Sequence, residues 1–149
     1  PSRWLDMGAG NGDTVRLLRS LGHEAEGIDL VPRGEDVTEG DYLSAPYEDA
    51  VFDGIISQCS FFISGNVAKA LKEAGRMLRK GGKLVFSDIT RDVVKLLNDV
   101  RAAGFAVRHM EDMSDAWKEY YLEALWKDES GCLPTGKKAS YVLFVCERM

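Results

Sequence analysis

A short apolar segment, Trp4-Leu5-Asp6-Met7, runs directly into Gly8-Ala9-Gly10-Asn11-Gly12, and Gly27-Ile28-Asp29-Leu30 follows one helix later. A strand must deliver the chain to a tight turn with glycine at every second position, and a helix must begin beyond it. A second strand must then end on an acid about twenty residues on. Glycines let a backbone take positive φ and approach a ligand closely. The helix after the turn presents unpaired backbone N–H groups to polar or anionic parts of whatever sits above it. An acid closing the second strand suits ribose hydroxyls. Together these segments predict a βαβ unit in a doubly wound α/β sheet, with a nucleotide-type ligand over the first turn.

The dinucleotide fingerprint asks for Gly-x-Gly-x-x-Gly after the strand. Here the third glycine comes one residue early, at Gly12, and Asp13 stands where that pattern wants Gly or Ala. A recognisable hydride-transfer acid or base pair is also missing, so an NAD-linked oxidoreductase loses support. Asp6, two residues before the first glycine, places a carboxylate where it can face a cation. This combination resembles the first motif of class I S-adenosylmethionine-dependent methyltransferases. The resemblance implies a Rossmann-like, mostly parallel seven-stranded sheet with an antiparallel last strand and helices on both faces. It also implies S-adenosylmethionine as cofactor. Carried over residue by residue, it assigns Asp6, Gly8, Ala9, Gly10 and Gly12 to the loop under the cofactor, and Asp29 with Leu30 to the ribose end.

Later segments continue the resemblance. Val51-Phe52-Asp53-Gly54-Ile55-Ile56-Ser57 is an apolar strand entered through Phe-Asp, similar to the family's fourth. Residues 66–78 read as a helix, with Val67, Ala70, Leu71, Ala74 and Leu78 on one face. Arg79-Lys80-Gly81-Gly82 is expected to close it, with cations at the negative helix end and a glycine in the left-handed cap. A further strand follows over Lys83 to Asp88. The run EAGRMLRKGGKLVFSD is similar to the family's leucine-rich helix, glycine pair and fifth strand. Gly40-Asp41-Tyr42-Leu43 matches the place where the small-molecule branch contacts adenine, with Asp41 a candidate for the amino group and Tyr42 for stacking or edge packing. Gln58, just after the fourth strand, joins the cofactor-binding candidates.

Residues 57–62 are expected to line the methyl-transfer pocket, since parallel sheets bind ligands beyond the carboxyl ends of their strands. The Asn/Asp-Pro-Pro-aromatic tetrapeptide of nucleic-acid amino-methyltransferases is absent. The resemblance therefore lies with enzymes of quinones, arsenic and other metabolites, and implies a small-molecule methyl acceptor. Cys59 is either a neutral pocket wall or a thiolate ligand converging with Cys132; soft thiolates suit soft elements. Cys146 alternates with apolar neighbours and reads as buried. His23 reads as exposed, and His109 as a candidate base only if it reaches a substrate. No catalytic residue and no metal site is assigned, because an activated sulfonium mainly needs its acceptor aligned.

Composition narrows the partners. The 149 residues, 45% hydrophobic, suit one domain with a sizeable core over residues 1–149. No stretch approaches the ~20 apolar residues of a membrane span. The three cysteines form no Cys-x-x-Cys pair, and reduced thiols in a cytoplasm are expected. Net charge is −5, and between Glu24 and Asp53 the only base is Arg33; such an acidic rim tolerates a sulfonium and repels nucleic acid. The bases from Lys69 to Lys83 read as the wet face of an amphipathic helix. The family's usual helices before the first strand are not in this sequence, and their absence raises the alternative of a non-catalytic cofactor-binding subunit. A helix over Ser114 to Trp126 carries an aromatic stripe that fits core, a pocket cap or a homodimer contact, and the loop Asp128 to Lys138 follows.

Overall fold

The computed structural model describes residues 2–115 and 139–149. Along the chain these form β1 (Arg3–Met7), α1 (Asp13–Ser20), β2 (Glu24–Asp29), β3 (Val37–Glu39), a 3-10 turn (Tyr42–Ser44) and β4 (Phe52–Gln58). Then come α2 (Val67–Met77), β5 (Leu78–Thr90), α3 (Val93–Ala102), β6 (Phe105–Asp112) and β7 (Ser140–Arg148). The seven strands make one sheet in the order β3-β2-β1-β4-β5-β7-β6. β7 runs antiparallel to both β5 and β6, and the other pairings are parallel. The expected sheet, with its antiparallel last strand, is present.

Strand order places the helices. From β1 the chain steps one way to β2, whereas from β4 it steps the other way to β5 and onward. Right-handed crossovers therefore put α1 on one face and α2 with α3 on the opposite face. Packing follows the same division: Val15 of α1 closes a small cluster with Ala9, Ala25 and Val37. The larger core joins Leu5, Ile55, Leu84, Phe86 and Phe144 to Leu71, Ala74 and Leu96 on the α2 and α3 side. Phe86 and Phe144 stack at 5.0 Å across the β5–β7 pair. Cys146 is fully buried there, and burial pushes its thiol up to about 12, leaving a small apolar residue as expected.

Two expectations about helices need correction. The cap of α2 is not a glycine: the helix ends at Met77, and Leu78 is already extended, its side chain fully buried. Leu78 pairs with Phe52, but the next pair is Gly54 with Lys83, so Arg79 to Gly82 loop out of the ladder, with Gly81 at φ 79°. The glycines turn the chain between two parts of one strand. The second correction concerns Arg76, read as part of a wet face. Its guanidinium donates to the carbonyls of Tyr47 and Ala45 and pairs with Glu73 and Asp49, tying α2 to the loop before β4.

The connection from β2 to β3 spans only residues 30–36 and carries no helix, although parallel neighbours usually need a longer crossover. Backbone contacts with the glycine loop take its place. The Arg33 N–H donates to the Gly10 carbonyl at 3.0 Å, and Gly34 lies so close to Asn11 that a Cβ there would strike its carbonyl oxygen.

His109 lies on the edge strand β6 opposite Val145, with its side chain 59% exposed and 3.7 Å from Glu111. It sits mid-strand rather than at the ligand-binding strand ends, which removes it as a candidate base. His23, expected to be exposed, is half-buried beside Trp4, with ring centroids 6.2 Å apart. The aromatic helix expected from Ser114 enters the described residues only as far as Asp115. The rest of it, Cys132 and the loop Asp128 to Lys138 lie outside them.

Candidate cofactor site

β1 has β2 on one side and β4 on the other, so strand order reverses at its carboxyl end. Ligands of open α/β sheets bind at such a point. The glycine loop leaves β1 there. Gly8, Gly10 and Gly12 all take positive φ, at 86°, 56° and 86°. The amides of Gly8 and Ala9 both donate to the Ile28 carbonyl, at 2.9 and 3.1 Å, which folds the loop back over the end of β2. Gly12 caps α1, while the Asn11 side-chain oxygen accepts the Asp13 N–H at 3.0 Å.

Two acids flank this loop. Asp29 ends β2; one carboxylate oxygen accepts the Gly10 N–H at 2.8 Å and the other accepts the Val31 N–H at 3.1 Å. A carboxylate has about four lone-pair sites, so it retains acceptor capacity for hydroxyls. Asp6 is more confined. It is 4% exposed, and its Oδ1 has no hydrogen-bond partner among the described residues. Burial, helped by the charge of Asp29, pushes this carboxyl up to about 7. A buried, unpaired carboxylate oxygen is costly, and a cationic ligand group brought beside it would satisfy it. The donor set therefore fits a cofactor with ribose hydroxyls and positive charge.

The loop after β4 closes the other side. The amide of Cys59 donates to the Ser87 carbonyl at 2.8 Å, and Cys59 itself takes φ 53°, rare for a residue with a side chain. Ser60 then sits over Gly8, where an added Cβ would collide with its side chain. The Tyr42 hydroxyl donates to the Ser60 carbonyl at 3.0 Å and lies 2.8 Å from the Ser60 hydroxyl. Further along, the Phe62 N–H donates at 3.3 Å to Asp88, a 1% exposed carboxyl at the end of β5 that burial also pushes up to about 7.

The structure brings Asp6, Gly8, Ala9, Gly10, Gly12 and Asp29 together. Tyr42 is also adjacent, its ring edge 3.6 Å from the position of a Gly8 Cβ, but it is 8% exposed and packs edge-on against Phe61. It is a buried strut between loops. Asp41 uses a carboxylate oxygen to accept the Leu43 N–H at 2.9 Å, capping the 3-10 turn. Leu30 is 64% exposed after β2, and Gln58 is exposed at the end of β4, opposite Ser87. Ser60 falls within the 57–62 segment expected to line the pocket, but its contact with Gly8 could not be read locally, because the two meet from different loops.

The model of the methyltransferase domain family matches residues 5–86. This chain belongs to that family. It is a methyltransferase domain with the class I sheet order. It is 34% identical over 101 residues to a sarcosine/dimethylglycine N-methyltransferase of Halorhodospira halochloris, covering 56% of this chain and 36% of that protein. To a demethylmenaquinone methyltransferase of Thermus thermophilus it is 35% identical over 101 residues, 57% of this chain and 46% of that one. The chain thus spans less than half the length of these relatives. A phosphoethanolamine N-methyltransferase of Haemonchus contortus, solved with S-adenosyl-L-methionine, superposes with TM-score 0.79 at 17% identity, covering 99% of this chain and 48% of that structure. Methyltransferase architecture is shared across that span.

Proposed function

We propose that this domain carries out S-adenosylmethionine-dependent methylation of a small-molecule acceptor, and that Asp6, the Gly8–Gly12 loop and Asp29 hold the cofactor. The observation that carries this reading is their convergence at the reversal of strand order, with a buried carboxylate oxygen of Asp6 left without a partner. The bound cofactor supplies a methyl group already activated on sulfur. For the protein, the remaining task is to align an acceptor and keep water out.

On this reading Asp29 receives ribose hydroxyls while keeping the Gly10 and Val31 amides in place, and Leu30 gives the ribose an apolar neighbour. Asp6 contributes negative charge on the cofactor's cationic side. Gln58 and the loop from Cys59 to Phe62 lie on the acceptor side, at the end of β4. A small acceptor is supported by relatives acting on sarcosine, dimethylglycine and demethylmenaquinone. The acidic stretch before β4 argues against a nucleic-acid backbone. Three cysteines with no Cys-x-x-Cys spacing favour a reducing, cytoplasmic setting. No helix among the described residues is long and apolar enough to cross a membrane.

Calorimetric titration with S-adenosylmethionine, S-adenosylhomocysteine and NAD, repeated on Asp29→Ala, tests the site. Micromolar binding of the first two that the substitution weakens at least about tenfold supports it; binding of NAD alone would overturn it. Transfer of labelled methyl to sarcosine, dimethylglycine or a demethylated quinol then tests catalysis. Cofactor binding without turnover on any acceptor favours the alternative, a cofactor-binding domain serving as a partner or regulatory subunit.

A further inference from the structure

The bases on the α1 side of the site are almost all neutralised by neighbours. Arg16 pairs with Asp13 and Asp36, Arg19 with Asp36, and Arg3 with Glu26. Arg33 differs. It is exposed, forms no ion pair among the described residues, and is the only base between Glu24 and Asp53. Its backbone is nevertheless held in place, because its own amide is bonded to Gly10 and the following Gly34 lies against Asn11. The guanidinium reaches back over the glycine loop: Nη2, Cζ and Nε lie 2.7, 3.7 and 3.9 Å from where a Cβ on Gly10 would stand. An unpaired, planar cation is therefore laid across the part of the backbone that the cofactor must approach.

S-adenosylmethionine carries a sulfonium, an ammonium and one anionic group, the carboxylate of its amino-acid part. Asp6 and Asp29 suit the cation and the hydroxyls, and neither can receive the anion. We propose that Arg33 is a cofactor-binding residue whose guanidinium pairs with that carboxylate, so that the short β2–β3 connection serves as an arm of the site. The inference rests on the assignment of the glycine loop to the cofactor. Arginine suits the role because its fork can bond both carboxylate oxygens at once, whereas lysine offers only a point charge.

The test compares two ligands, S-adenosylmethionine and decarboxylated S-adenosylmethionine, by calorimetric titration of the wild-type chain, Arg33→Ala and Arg33→Lys. Thermal unfolding of each variant confirms that this exposed substitution leaves the fold intact. Arg33→Ala is expected to weaken S-adenosylmethionine about tenfold or more and leave the decarboxylated ligand within about twofold, with Arg33→Lys between. Equal losses for both ligands, or no loss for either, would overturn the proposal while leaving the cofactor site standing. If wild type binds neither ligand, the cofactor assignment itself fails and the role of Arg33 falls with it.

Discussion

Gly8 and Cys59 are neighbours in strain across the mouth of the site, and they call for opposite substitutions. Gly8 sits at φ 86° with Ser60 where a side chain would go. Gly8→Ala incurs roughly 1–2 kcal/mol for the left-handed backbone alone. It must also displace Ser60, which is bonded to Tyr42, so we expect a lower melting temperature together with loss of S-adenosylmethionine binding by titration. Cys59 holds φ 53° while keeping a Cβ. Cys59→Gly should therefore preserve or raise stability, by up to about 1 kcal/mol, whereas Cys59→Val should lower it, both read from urea unfolding. The glycines of the loop were legible because spacing alone marks them. The contacts of Ser60 and Arg33 with that loop were not, since each meets it from a segment that only the folded sheet brings near.

Among the elements, α2 shows both what a linear pattern reveals and where it stops. Its apolar positions recur at helical spacing: Ala70, Leu71 and Ala74 of the expected face are fully buried, Val67 is partly buried, and Met77 joins them. Asn66 caps it by accepting the Lys69 N–H at 3.2 Å, and Asp92 caps α3 in the same way with Lys95. Asn66→Ala is expected to cost about 1 kcal/mol, seen as a fall in melting temperature of about 2–4 °C for a domain of this size. The end of α2 was misread because glycine and basic residues look alike whether they cap a helix or turn a strand. What decides it is Leu78, drawn into the ladder beside Phe52 and fully buried. The missing β2–β3 helix was equally invisible, because contacts with the distant glycine loop hold that connection.

For the whole molecule, Asp6 and Asp88 set a pH dependence of definite sign. Burial raises both to about 7, so the folded state holds protons that the unfolded chain releases near about pH 4. Their contribution is complete below that lower value and is lost as pH rises toward about 7. Glu73 is held low mainly by its bond from Arg76, so its contribution is lost only on further acidification. Urea unfolding should therefore show stability falling between about pH 4 and 7, with a shallower slope in Asp6→Asn. A cation bound beside Asp6 lowers its proton affinity, so titrations in buffers of different ionisation enthalpy should show proton release near neutrality that Asp6→Asn abolishes. Fold and cofactor loop were legible at this scale because β4, β5 and β7 carry their own apolar runs and glycine spacing marks the loop. The titration was not, because it depends on how deeply the sheet encloses two acids. The sheet order also fixes a sequence of events during synthesis. β7 lies between β5 and β6, yet leaves the ribosome after both, so among the described strands β6 has no partner and β5 keeps a bare edge until β7 threads into the gap. A nascent chain halted before Ser140 would thus display two unsatisfied edges, the kind that recruit chaperones or other copies of the same chain.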